Sequence, residues 1–214
     1  MNDLRRFLKE NGSYTLGTAL LDFLSSSVRN FFISRKLGVR KIRVGPRSHL
    51  RGLSSITMGE DFIAGEGLWL EAISHYGEQN FSPRIVIGEH VRASHFVHIA
   101  ATNFVQIGDH VLMGSKVMIT DHNHGLYSRD AHSSPQTPPS LRLLDSDRRT
   151  VIGRNVWLGD GVVVTAGASI GEGSVIGANS VVVGGVPAFT IAAGMPATVR
   201  KKFDFDSGKW CNVE

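Results

Sequence analysis

Cysteine is nearly absent from this sequence. Cys211 is the only one in 214 residues, so no intrachain disulfide can form, and a reducing compartment is expected. Aromatic residues are also scarce, at 8%, which leaves the core to small branched side chains. The N-terminus lacks the order of charge, apolar run and small-residue cleavage site that a secretory signal needs, so a cytoplasmic location is expected. Neither charge sign dominates: a net charge of +4 permits an anionic partner without singling out nucleic acid, and none is expected. With 42% hydrophobic and 20% charged residues, the chain is neither disordered nor a polytopic membrane protein. Its length suits one well-buried domain plus an appendage, since two domains would each be too small.

Glycine is abundant, at 24 residues. Between Ile152 and Pro187 it falls into a pattern. Read in sixes, the first position is Ile152, Leu158, Val164, Ile170, Ile176 and Val182, and the fifth is Val156, Val162, Ala168, Ser174, Ser180 and Val186. Gly153, Gly159, Gly171 and Gly177 occupy second positions, which suits corners where the chain turns tightly or passes close to the coil beneath. A period of six fits neither a helix nor ordinary hairpins. It fits a solenoid of short parallel strands, three hexads to a triangular coil, with first and fifth positions inward. The same phase holds at Ile87, Ala93 and Ile99, shifts by two residues, and resumes at Ile107, Met113 and Ile119. About twelve clear hexads make about four coils, some 19 Å tall at about 4.8 Å per strand. Weaker matches at Val44, Leu50, Ile56, Met58 and Ala64 would add about two more.

Two stretches interrupt the repeat. Residues 71–84 carry no hexad, and residues 121–150 form a polar insertion with Pro135, Pro138 and Pro139 that opens at Asp121-His122-Asn123-His124. An insertion this long in a compact repeat is expected to be functional or disordered. Residues 1–40 form an N-terminal segment in which Leu16, Leu20, Phe23, Leu24, Val28 and Phe31 recur at helical spacing, with Arg29, Arg35 and Lys36 towards the end. This amphipathic helix either caps the open solenoid or rests on an anionic membrane surface. Residues 41–200 are the repeat domain, and 201–214 read as a C-terminal tail.

The hexads, the run Ile87 to His124, the segment Ile152 to Gly159 and the ending Ala193-Gly194-Met195-Pro196-Ala197 resemble the hexapeptide-repeat acyltransferases, and within them the galactoside and maltose O-acetyltransferase branch. The N-terminal helix and short length look like bacterial capsule or lipopolysaccharide O-acetyltransferases. The resemblance covers residues 42–200. It implies an all-β solenoid, a left-handed parallel β-helix with a short N-terminal helical segment and a protruding loop. It also implies acetyl-CoA as acyl donor, a sugar or glycan acceptor and a homotrimer with sites between subunits. No metal is expected.

Such chemistry needs a base to take the proton of a sugar hydroxyl as it attacks a thioester. Laid on the branch without gaps from Ile87, the family's catalytic histidine falls on His124, with His122 as its rival. Asp121 either holds an imidazole tautomer or makes an Asx turn. Where the branch has an acceptor-contacting Asn, this sequence has Ser94, followed by His95, so the acceptor is expected to differ. The family's pantetheine groove maps onto Gly159, Asp160, Ala178 and Gly194, with Trp157 nearby. Arg200 and Lys201, followed by Lys202, map to the coenzyme A phosphates; the alternative is a solvated basic tail.

Sixth positions point outward yet hold Trp157, Val163, Val175 and Val181, with Trp157 stacked over Val175 and Val163 over Val181, an independent hint of subunit contact. Two other readings compete. A γ-class carbonic anhydrase would need a three-histidine zinc site, for which His90, His95 and His98 are candidates on three different hexad positions. A non-enzymatic scaffold would have no coenzyme A affinity. A serine acetyltransferase would need a large helical N-terminal domain that forty residues cannot supply.

Overall fold

The computed structural model describes residues 16–127 and 132–213, with residues 16–25 as backbone only. The hexads wind into a three-sided parallel β-helix. Sheet I stacks Ile42–Val44, Phe62–Ala64, Arg92–Ala93, Leu112–Met113, Trp157–Leu158, Val175–Ile176 and Thr190–Gly194. Sheet II stacks His49–Arg51, Trp69–Ala72, His98–Ala101, Met118–Thr120, Val163–Val164 and Val181–Val182. Sheet III stacks Ile56–Met58, Arg84–Ile87, Phe104–Ile107, Arg149–Ile152, Ser169–Ile170 and Gly185–Val186.

The periodicity of six sets this architecture directly. Every first-position aliphatic from Ile152 to Val182 and every fifth-position residue from Val156 to Val186 is buried. The buried Ser174 and Ser180 are not orphaned: Ser174 Oγ donates to the Pro187 carbonyl at 2.8 Å, and Ser180 Oγ accepts the Gly194 N–H at 3.1 Å. Close approach explains the second-position glycines. A Cβ on Gly171 would sit 2.3 Å from the Ala188 nitrogen of the next coil. The left-handed backbone falls instead on fourth positions, where Asn155 and Asn179 have φ of 57° and glycines fill the rest of that column down to Gly173. Asn is one of the few residues with a side chain that tolerates this region.

The helix Leu16–Leu37 packs over the first coil. Among the described side chains, polar groups reach the coil: the Arg29 guanidinium donates to the Val44 carbonyl at 2.6 Å, and Asn30 Oδ1 accepts the Val44 N–H at 3.1 Å. These bonds satisfy the open backbone edge, with Ile33 as the buried apolar contact. Val28 and Phe31 of the expected apolar stripe, together with Phe32, point to solvent. The side chains of Leu16, Leu20, Phe23 and Leu24 lie outside the described residues.

The expected tail from residue 201 is a correction. The strand Ala197–Asp204 runs straight through that boundary, pairs antiparallel with Thr190–Gly194 and is followed by the antiparallel strand Lys209–Asn212. The end of the parallel repeat leaves an open ladder, and a hairpin closes it without needing hexads. Phe203 and Trp210 face each other across the pair with ring centroids 5.2 Å apart.

Candidate active site

Three consecutive corners between sheets II and III depart from the six-residue period. After Trp69–Ala72 the chain makes a hairpin from His75–Tyr76 and Gln79–Asn80. After His98–Ala101 two extra residues, Thr102 and Asn103, enlarge the turn. After Met118–Thr120 comes the long insertion, whose arms Asn123–His124 and Leu144–Asp145 pair antiparallel. These three strands are neighbours in sheet II. The irregularities therefore stack into one structure on edge II/III.

Asp121 locks that structure. Its side chain is fully buried and accepts backbone N–H bonds from Thr102 at 2.9 Å, Asn103 at 2.8 Å and Phe104 at 2.7 Å, plus the Thr102 hydroxyl at 3.1 Å. The enlarged turn of one coil is thus held by the carboxylate of the next. The same carboxylate meets an imidazole: His122 Nδ1 lies 2.9 Å from Asp121 Oδ1 and 3.1 Å from Thr120 Oγ1. Thr120 is fixed in turn, because the Thr150 hydroxyl donates to its carbonyl at 2.8 Å. A carboxylate accepts, so this contact favours the tautomer with the proton on Nδ1, and in a neutral imidazole so held Nε2 keeps the lone pair that a general base requires.

His124 is placed differently. It is exposed on the insertion's first arm, with its ring edge-on to Tyr76 at 5.2 Å. Tyr76 donates to the Ser140 carbonyl at 2.8 Å, and Gln79 clasps Leu144, accepting its N–H at 2.7 Å and donating to its carbonyl at 3.2 Å. The hairpin in 71–84 thus braces the insertion in 121–150. Thr120, Thr102, Tyr76 and Gln79 were not singled out in the sequence. The only hint was that the two interruptions flank consecutive hexads.

The remaining expected site residues lie on another edge. Ser94 and His95, Gly159 and Asp160, and Ala178 each follow a sheet I strand and Gly194 ends one, so they run up edge I/II in one column. His95 Nδ1 accepts the Glu66 N–H at 3.2 Å, and Asp160 Oδ1 accepts the Ser115 N–H at 2.6 Å, so both serve their own edge. At the top, Arg200 is the extra residue in the bulge opposite Ile191 and Ala192, and Lys201 pairs with Ile191. A Cβ on Gly194 would stand 3.3 Å from the Pro196 carbonyl oxygen and 3.7 Å from the Arg200 guanidinium. Trp157 projects from sheet I, 51% exposed, beside Leu112 and Val175. Sheet II separates the two edges by roughly 13 Å, taking a four-residue strand at about 3.3 Å per residue. One chain brings Asp121 and His122 together, and it does not bring them to Ser94, His95 or the glycine column.

The three histidines of the zinc alternative do not converge. His90 sits on edge III/I, 3.0 Å from Asp61 and stacked on His110 at 4.9 Å, while His95 is on edge I/II and His98 on sheet II. Burial holds the His98 imidazole below its ordinary value of 6.5, Glu71 opposes this, and neighbouring His122 adds to it.

Comparison with known proteins agrees with this architecture. The family model described as bacterial transferase hexapeptide (six repeats) matches residues 149–184. A protein of Escherichia coli strain K12 named for lipopolysaccharide biosynthesis O-acetyl transfer, WbbJ, is 43% identical over 163 residues, covering 76% of this chain and 79% of its own. Galactoside O-acetyltransferase of the same organism is 30% identical over 145 residues, covering 65% of this chain and 63% of its own. Among solved structures, a variant of an N-acyltransferase from Bacillus cereus, in complex with dTDP and coenzyme A, superposes with a TM-score of 0.59 at 14% identity, covering 79% of this chain and 84% of that one. A maltose O-acetyltransferase from Clostridium difficile 630 gives 0.51 at 26% identity, covering 82% and 75%. The fold is the left-handed β-helix that the family resemblance implies, wound from the three-hexad coils that the period of six predicts.

Proposed function

Because the chain belongs to the hexapeptide-repeat acyltransferase family, we propose that it is an acetyl-CoA-dependent O-acetyltransferase acting on a sugar hydroxyl in a surface glycan or its precursor, with His122 as general base. The Asp121–His122 pair carries this reading. A neutral imidazole with its tautomer set by a buried carboxylate can take the hydroxyl proton on Nε2 as the sugar oxygen attacks the thioester carbonyl. The new C–O bond forms, the C–S bond breaks, and the imidazolium returns its proton to the departing thiolate. Asp121 stabilises that imidazolium by 2.9 Å contact with Nδ1. His124 lacks such a carboxylate partner among the described residues, so the base assignment moves from it to its neighbour two residues earlier.

Acetyl-CoA supplies the activated acyl group, and the residues of edge I/II suit it. The column of Gly159, Ala178 and Gly194 runs along this edge, and Arg200 with Lys201 places two cations at its upper end. With the base on one edge and this column on another, a cyclic homotrimer would complete each site by setting one subunit's edge II/III against the next subunit's edge I/II. The outward Trp157, Val175, Val163 and Val181 offer apolar contact for it. The glycan assignment is supported by likeness to WbbJ, and a cytoplasmic location follows from the acyl donor, which is a cytoplasmic metabolite.

Among the described residues no helix is long and apolar enough to cross a membrane. Exposed Val28, Phe31 and Phe32 beside Arg35 and Lys36 suit instead contact with an anionic membrane face. Cosedimentation with phosphatidylglycerol vesicles, lost in Phe31→Ser/Phe32→Ser, tests that contact.

The function itself is tested by coenzyme A release from acetyl-CoA across nucleotide sugars, simple sugars and oligosaccharides. Release with at least one acceptor is expected. Coenzyme A binding without release for any of them would overturn the glycan assignment, and no binding at all would favour the scaffold.

A further inference from the structure

The C-terminal hairpin carries an outward face that the hexads do not explain. Thr190 and Ala192 are buried, so Ile191 between them points outward, and Lys201 and Asn212, paired with it in succession, share that face. Side chains two apart in a strand also lie on one side. Phe203 and Trp210, paired with each other, therefore stand beside Lys201 and Asn212. Phe205 joins them, with its ring 5.0 Å from the rings of Phe203 and Phe189. It meets both edge-on, at 80° and 86°, and Phe203 meets Trp210 at 68°. Such crossings leave ring surface uncovered: Phe205 is 66% exposed and Trp210 37%.

We propose that these rings stack the adenine of coenzyme A while Arg200 and Lys201 hold its phosphates, a subsite that rests on the acetyltransferase reading above. Dimensions support it. The strand before Gly159 and the strand of Lys201 are three strands apart in sheet I, about 14 Å at about 4.8 Å per strand, which suits an extended pantetheine arm. Lys201 and Phe203 are two residues apart, about 7 Å at about 3.3 Å per residue, which suits the ribose between a phosphate and its base. Charge supports it too. Asp204, the one carboxylate of the strand Ala197–Asp204, lies on the other side and is held in its own turn, accepting the Asp206 N–H at 3.0 Å and the Ser207 hydroxyl at 2.6 Å. Lys201 is left for a ligand's phosphate. The trimer leaves this face free, because a neighbour's edge II/III ends at Gly185–Val186, whereas the hairpin strands stand one and two strands above Thr190–Gly194.

The experiment compares coenzyme A with phosphopantetheine, which keeps the thiol arm and one phosphate but has no adenosine, by calorimetry on the full chain. Trp210→Leu should weaken coenzyme A binding about tenfold, the loss expected of one base stack. Phosphopantetheine should stay within about twofold, which also shows that the variant is folded. Trp210→Phe should restore most of the coenzyme A affinity, and Phe203→Leu should act in the same direction as Trp210→Leu. In turnover, Trp210→Leu should raise KM for acetyl-CoA and not for S-acetyl phosphopantetheine. Unchanged coenzyme A affinity in Trp210→Leu, or an equal loss for both ligands, would overturn the subsite and leave the acetyltransferase reading in place. Trp210-dependent coenzyme A binding without acetyl transfer to any acceptor would uphold the subsite and sink that reading instead. No coenzyme A binding by the wild type would overturn both.

Discussion

The upper coils, from Arg149 to Ala192, and the middle coils, from Trp69 to His124, are built from the same strands in the same three sheets, yet they do different work. Above, second-position glycines let coils touch, no chain leaves the prism, and the one irregular corner, between Val182 and Val186, is shortened rather than enlarged. Below, three corners on one edge break the period, and Asp121, His122 and the paired hairpins occupy the breaks. A regular solenoid can carry a groove of backbone, but it has no place to hold an imidazole against a buried carboxylate. The departures supply that place, and the regular strands on either side keep it rigid.

The sharpest way to break this contrast is at the base. His122→Ala should lower kcat by about 10²- to 10⁴-fold with coenzyme A binding intact, and His124→Ala by less than about tenfold. A dead His124→Ala beside an active His122→Ala would reverse the assignment. On the regular side the loss should be of stability instead. Gly171→Ala, with its Cβ 2.3 Å from Ala188 N, is expected to cost about 2–4 kcal/mol in urea denaturation. Gly184→Ala, which meets nothing within 4 Å, should stay within about 0.5 kcal/mol. Gln79→Ala removes both bonds to Leu144 and should speed hydrogen exchange at the Leu144 amide, at a global cost of about 1 kcal/mol. Unchanged exchange would show that the hairpins do not brace each other.

The smallest effect concerns pH. The unfolded His98 imidazole takes its proton near 6.5, whereas the folded one does so only at lower pH. Stability is therefore unaffected well above 6.5 and falls as the pH drops through it. His98→Gln should reduce the Tm loss between pH 7.5 and 5.5 by no more than about 2 °C. A larger loss in the variant would contradict burial as the cause.

How much of this was legible follows from range. The inward positions from Ile152 to Val186 were readable because burial in a solenoid depends only on a residue's place in its own hexad. The glycines of second positions are readable for the same reason, whereas the left-handed fourth positions at Asn155 and Asn179 show only in the backbone. The C-terminal hairpin leaves no mark in the repeat because antiparallel pairing obeys no period of six. On the helix, apolar spacing leaves open whether Val28 and Phe31 face the solenoid or a membrane, and the open backbone of Val44 and Gly45 takes Arg29 and Asn30.

The sequence by itself determined the repeat, its phase, its interruptions and the pair of histidines between which the base was to be chosen. It could not order that pair, since His122 and His124 differ only in what lies across the fold from them. Tertiary structure sets the two apart by stacking corners 17 to 19 residues apart in the chain, so that the amides of Thr102, Asn103 and Phe104 hold Asp121 and Asp121 meets His122. Coil stacking turns distance along the chain into a few ångströms of height, and that conversion is invisible until the coils are closed.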